Sequence, residues 1–229
     1  MKYDFRNRMA THQPVLWAAA IAAEGAILEF GCGYGSTPLL HGLAEDLGVR
    51  LVTLDSDEEW LRRFRSRLES PFHEFRLVQD WASELDKPDW DRDWGLVFVD
   101  QSPFEARALT VDRFRDRADY VVVHDSDYFP EHGLFGTALR PLRGPHDLGA
   151  RDFGDVFSSW REFFPPEPWP FAPTGPPTLL ASNRRDVSLV DIDYERHLPL
   201  WWRLGRHGRK LVPQTVRMRI ANLIGWGRS

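Results

Sequence analysis

The chain has one cysteine, Cys32, in 229 residues. That excludes an intramolecular disulfide and a cysteine-rich zinc site, and it fits a reducing cytoplasm. No apolar run approaches the ~20 residues needed to cross a bilayer. The opening MKYDFRNRMATHQ has no apolar core, so no signal peptide is expected there. No internal repeat is present. Basic residues are fewer than acidic ones, 29 against 34, and unevenly spread. Residues 196–229 hold eight Arg or Lys and no acid, which leaves a net −13 on the first 195 residues. An acidic body offers no broad basic face, so no nucleic-acid partner is expected. What the chain does have is 42% apolar residues, enough for one domain with a sizeable core.

The apolar residues alternate between two kinds of segment. HQPVLWAAAIAAE (12–24) is Ala-rich and predicts a helix stopped at Gly25. Strands are predicted at 26–30, 50–54, 75–78, 95–99 and 119–123, each a continuous apolar run, as in strands buried on both faces. Helices are predicted at 36–47, 58–69 and 104–117, with Pro38 in the first turn of one and Ser56 or Asp57 capping the next. This alternation predicts an α/β fold, a doubly wound parallel sheet with helices on both faces. Beyond residue 150 the pattern loosens, with further strands expected at 151–157 and 178–182. Between them, FFPPEPWPFAPTGPP has seven prolines in 165–177, which excludes a helix or a central strand.

One junction carries chemistry. ILEFGCGYGSTPLL (27–40) reads as strand, glycine turn, helix, a geometry that presents backbone N–H groups to a ligand. Gly31, Gly33 and Gly35 give G-x-G-x-G, not the G-x-G-x-x-G of dinucleotide binding, and no lysine follows for a phosphate loop. Glu29, two residues earlier, would repel a phosphate and suits a ligand with a cationic group. The acids Asp55, Asp80 and Asp100 each close a predicted strand, at the end where open α/β sheets bind ligands. Asp55 lies about 20 residues past the glycines, where an acid can accept bonds from a ribose diol. The plainer reading is that Asp55 and Asp80 only cap helices.

Together these residues resemble the class I S-adenosylmethionine-dependent methyltransferases. Their first motif, (E/D)-x-G-x-G-x-G, is matched by Glu29, Gly31, Gly33 and Gly35, and a helix before the first strand is usual in the family. The resemblance covers about residues 10–130 and the strand near 180. It implies a mostly parallel, seven-stranded Rossmann-like sheet over residues 1–195. It also implies an S-adenosylmethionine site at 29–37 (Ser36 and Thr37 included), at Asp55 and Ser56 for the ribose, at Asp80 and Trp81 for the adenine, and at Asp100 for the methionine end. His12, on the helix leading into the first strand, would sit over the cofactor or merely start its helix.

Methyl transfer needs mainly proximity and orientation, with a base where the acceptor must lose a proton. Candidates gather in VVVHDSDYFPEHG (121–133). His124 is a candidate base, since its ordinary pKa lies near neutral. Asp100, Asp125 and Asp127 are the alternative, an oxygen-rich site for Mg²⁺. Some small-molecule O-methyltransferases of this fold use such a metal, and Asp100 and Asp125 match the first two of its usual positions. A solvated loop of Asx-turns is the third reading of Asp125 and Asp127.

The Pro-rich insert, about 160–177, is expected to form a lid or wall of the acceptor pocket, or a rigid loop packing its aromatics on the body. The tail, 196–229, places Val216, Ile220, Leu223 and Ile224 on one helical face with Arg217 and Arg219 beside it. Such a segment suits an anionic membrane surface through 198–226, or docking on the body or on a second copy as a homodimer. The expectation is therefore a cytoplasmic, partly membrane-associated methyltransferase acting on an oxygen of a small-molecule or glycan-type acceptor. Transfer to nitrogen is the competing expectation within the class. A non-catalytic S-adenosylmethionine-binding assembly protein, working through its basic tail, is the competing one outside it. An NAD-dependent oxidoreductase is disfavoured by the glycine spacing and by Glu29.

Overall fold

A computed structural model describes residues 11–126, 153–163 and 177–192. The chain begins with α1 (Gln13–Ala22), then β1 (Ile27–Phe30), α2 (Thr37–Leu47), β2 (Leu51–Asp55), α3 (Glu58–Leu68) and β3 (His73–Leu77). It continues with α4 (Trp81–Leu85), β4 (Trp94–Val99), α5 (Phe104–Phe114) and β5 (Ala118–His124). After the undescribed stretch come α6 (Phe153–Val156), β6 (Ser159–Phe163) and β7 (Thr178–Ser182). The seven strands form one sheet in the order β3-β2-β1-β4-β5-β7-β6. The first five are parallel; β7 runs antiparallel to both β5 and β6.

The continuous apolar runs of the strands are explained by burial on both faces. Leu28, Phe30, Val97, Val99, Val121 and Val123 pack with Trp81, Leu85, Val111 and Phe114 of α4 and α5. Ile27, Leu51, Leu96, Phe98 and Val122 pack with α1 and α2 through Val15, Leu16, Leu39, Leu40 and Leu43. Each such side chain contributes about 1.5–3 kcal/mol by leaving water. Local signals set the helix ends. Gly48, at φ +67°, ends α2, and Asp57 caps α3 by accepting from the Trp60 N–H. Asp80 caps α4 in the same way, through the Ser83 N–H.

Two elements differ from the sequence reading. The expected strand at 151–157 contains α6 instead: Phe153 and Phe157 are both buried, and the Phe157 N–H bonds the Phe153 carbonyl at 2.8 Å. Their spacing of four is the helical period, and the sixth strand starts two residues later. Helix α4 is not among the predicted helices; Asp80 caps it, as the plainer reading of that residue expects.

The strand ends converge at Gly31. Its N–H bonds the Leu54 carbonyl at 2.8 Å, and Asp100 N–H bonds the Phe30 carbonyl at 2.7 Å. Gly31 has φ +90°, and a Cβ there would lie 2.6 Å from the Asp100 carbonyl carbon and oxygen. Backbone cannot give way as a side-chain tip can. Gly31→Ala is therefore expected to lose roughly 3 kcal/mol from combined strain and overpacking. Thermal unfolding should show this as a fall in Tm of about 6–12 °C.

Candidate functional site

The glycine turn is held from three sides. Asp55 accepts from the Cys32 N–H at 2.8 Å through one carboxylate oxygen and from the Asp57 N–H at 2.9 Å through the other. Trp60, on α3, donates its indole N–H to the Cys32 carbonyl at 2.7 Å. The Cys32 peptide groups are thus fixed at both ends, and Tyr34 lies edge-on to Trp60. Gln13, on α1, donates to the Gly35 carbonyl at 2.8 Å. Among the described residues, a Cβ on Gly33 would meet only the Ser36 hydroxyl, at 3.7 Å, so they leave open space in front of the turn there. Ser36 is buried at the N-cap of α2. Ser56 reaches the Ser102 carbonyl at 3.4 Å.

Glu29 is placed beneath the turn by its hydrogen bonds. It is fully buried behind the turn, where its two oxygens accept from the Thr37 hydroxyl at 2.9 Å and the Thr53 hydroxyl at 2.7 Å. Thr37 in turn accepts from the Gly33 N–H at 2.8 Å, so the acid orders the turn at second hand. On β1 it shares the side of Ile27, toward α1 and α2. Burial pushes the Glu29 carboxyl up to about 7, against the bonds from Ser36, Thr53 and Thr37. The adenine candidates also have structural duties. Asp80 is an exposed helix cap, and Trp81 is buried with its indole N–H on the Ser102 carbonyl at 2.8 Å.

At the ends of β4 and β5 the expected cluster does assemble. His124 Nδ1 lies 3.2 Å from Asp100 Oδ1 and 3.8 Å from Asp125 Oδ2. Its Nε2 lies 3.3 Å from the Thr11 hydroxyl. Burial works against the charged imidazole, but Asp100 and Asp125 outweigh it and hold the His124 pKa above its ordinary value. For Asp100, burial opposes ionisation, yet His124 and Arg107 keep its carboxyl below the usual range. His12 completes the group, its ring edge-on to His124 at 4.5 Å and beside Phe98 at 5.0 Å. It is 2% exposed; among the described residues neither ring nitrogen has a partner at full hydrogen-bond geometry, and the Gly35 backbone is the polar group nearest to offering one. Burial, then His124, push it down to about 3, so it is neutral where His124 is disposed to carry the proton.

The glycine turn, Asp55 and the Asp100 cluster all sit at the carboxyl edge of one sheet whose last strand is antiparallel. The chain has the doubly wound, Rossmann-like α/β sheet that its sequence predicts. No protein-family model matches it, and no curated protein does. Among solved structures it is similar to a methyltransferase from Geobacter sulfurreducens, at 17% identity over 77% of this chain and 80% of that one, with a TM-score of 0.43. It is also similar to a SAM-dependent methyltransferase from Anabaena variabilis, at 14% identity over 76% and 84%, TM-score 0.43. A third is the plantazolicin methyltransferase BpumL in complex with SAH, at 15% identity over 79% and 88%, TM-score 0.43. Likeness at this level carries no argument about activity or substrate.

Two partners of the cluster were not singled out in the sequence. Thr11 is one. The other is Arg107, on α5, which bonds Asp100 Oδ1 at 2.9 Å and Asp125 Oδ2 at 3.3 Å. Mg²⁺ does not fit here. It demands oxygen ligands in regular geometry, whereas Asp100 Oδ1 already serves a guanidinium and an imidazole. Asp127, most of the Pro-rich insert and the tail from 196 lie outside the described residues. Among the described residues, no helix is long and apolar enough to cross a membrane.

Proposed function

We propose that this chain is an S-adenosylmethionine-dependent methyltransferase acting, without a metal, on a hydroxyl of a small-molecule or glycan-type acceptor. The observation that carries the reading is the cradle at the carboxyl edge: a glycine turn pinned by Asp55 and Trp60 and, among the described residues, open in front of Gly33, with a buried His12 beside it. The cofactor supplies an electrophilic methyl group on a sulfonium. Asp55 would hold the ribose hydroxyls, the Gly33 region would admit close backbone approach, and Asp100 and His12 would meet the methionine end.

The remaining requirement is a place for the acceptor's proton. In its neutral form, with the proton on Nδ1 toward Asp100, His124 can accept at Nε2 the Thr11 hydroxyl proton while Thr11 takes the acceptor's, and Asp100 stabilises the imidazolium that forms. The test has two stages. Calorimetric titration with S-adenosylmethionine and its demethylated product, S-adenosylhomocysteine, should give one site of micromolar affinity. Gly33→Ala should weaken it about tenfold or more while leaving stability within about 1 kcal/mol, because the added methyl enters the ligand's space only. Transfer of labelled methyl should then favour hydroxylated acceptors over their amine analogues. A folded protein that binds neither ligand ends the methyltransferase reading; preference for the amines ends the oxygen assignment.

A further inference from the structure

We infer that Arg107 stands in for a divalent cation: its guanidinium closes the Asp100–His124–Asp125 cluster to metals and fixes the ends of β4 and β5 in register for a metal-free reaction. The consequence for the reaction rests on the methyltransferase reading; the closure does not. Asp100, His124 and Asp125 have ligand atoms within 4.8 Å of one another, the span of the ligands around a single ion. Two carboxylates and an imidazole are also the donor set a transition metal takes.

Arg107 fills that role with unusual completeness. It is 3% exposed and its guanidinium carbon lies 4.3 Å from the centroid of the Phe104 ring. Nε donates to the Gln101 carbonyl at 2.9 Å. One terminal nitrogen donates to the His124 carbonyl at 2.7 Å and to Asp125 Oδ2 at 3.3 Å. The other donates to the Asp100 carbonyl at 3.2 Å and to Asp100 Oδ1 at 2.9 Å. All five N–H donors of an arginine are thereby engaged. Three go to backbone carbonyls at the ends of β4 and β5, and two to the carboxylates a metal would need. No donor is left for a ligand, so Arg107 is a positioning residue. A divalent ion entering the cluster would have to displace the guanidinium or sit against its charge.

The test uses the full chain and Mn²⁺ alone, reading free Mn²⁺ by its electron paramagnetic resonance signal. Wild type is expected to leave the signal unchanged to about 1 mM Mn²⁺. Arg107→Gln keeps most of the volume without the charge and should gain one bound equivalent, tighter by more than about 100-fold. Adding Asp125→Asn, which tolerates the φ of +52° at that position, should abolish the gain. Arg107→Lys retains the charge and should stay closed. One-to-one Mn²⁺ binding by wild type, lost in Asp125→Asn, overturns the inference without recourse to any Arg107 variant. A folded Arg107→Gln that gains nothing, or an Arg107→Lys that gains as much as Arg107→Gln, overturns it too. A chain that binds no S-adenosylhomocysteine yet admits Mn²⁺ only after Arg107 is replaced would sink the cofactor reading and leave the closed cluster standing.

Discussion

Asp55→Ala should lower affinity for S-adenosylhomocysteine by roughly 100- to 1,000-fold, the larger of the ligand effects expected here. Two contributions add. A carboxylate accepting from a ribose diol makes two charge-assisted bonds, each worth about 1.5–3 kcal/mol where water is excluded. The same side chain holds the Cys32 and Asp57 N–H groups at 2.8 and 2.9 Å, so its removal also loosens the glycine turn. A fragment separates the two. Methylthioadenosine keeps the ribose and lacks the amino-acid end, and it should lose affinity by nearly the same factor. Methionine-end contacts through His12 do not enter that comparison. Calorimetry on wild type and variant, with unfolding curves to confirm the fold, measures both. Unchanged affinity for either nucleoside would remove Asp55 from the site and leave it as the organiser of the turn alone.

Much of this geometry was legible because parallel strands end on one edge. Once 26–30, 50–54, 95–99 and 119–123 read as parallel strands, Asp55, Asp100 and His124 had to lie along one edge of the sheet, whatever the packing between. The observed strands, Ile27–Phe30, Leu51–Asp55, Trp94–Val99 and Ala118–His124, keep those ends to within a residue. The errors are where one residue type serves two purposes. Asp80 followed by Trp81 and Ser83 is both an acid at a strand end and a helix cap, and the cap is what the structure contains. In RDFGDVF the alternation of a strand and the Phe153–Phe157 spacing of a helix coexist, and burial of both rings decided for the helix.

Arg107 and Thr11 were illegible for a different reason. Arg107 is one of many arginines, on a helix whose inward face the sequence leaves ambiguous, and it meets its partners across 7 and 18 residues. Thr11 meets His124 across 113 residues. Neither pairing has a spacing signature, since tertiary packing alone creates it. Glu29 had a signature that went unused. Side chains alternate along a strand, so Glu29 follows Ile27 into the α1–α2 layer, and Thr53 is its register partner on β2. An acid facing two hydroxyls in a core organises its strand junction.

That placement makes Glu29 the source of the largest loss of stability expected as pH rises from 4.5 to about 7. Burial raises its pKa from 4.5 to about 7. As pH rises through this window, the unfolded chain has released the proton while the folded protein keeps it. Stability therefore falls with rising pH, fully present below 4.5 and lost above about 7, by on the order of 3 kcal/mol. Glu29→Gln keeps the shape and cannot ionise. One amide atom accepts from Thr37 or Thr53 and the other donates to the remaining hydroxyl, which can rotate. His73 bonds Thr53 at 2.8 Å, and burial and then His41 lower its pKa to about 3, which acts with the opposite slope below its ordinary value. It is common to both proteins and cancels in their difference. Urea unfolding at pH 5, 6, 7 and 8 should show the variant gaining steadily on wild type and exceeding it at pH 8. Parallel profiles would mean that the carboxylate stays ionised behind the turn, held by its hydroxyl donors, and that the charge of Glu29 is part of what shapes the cradle.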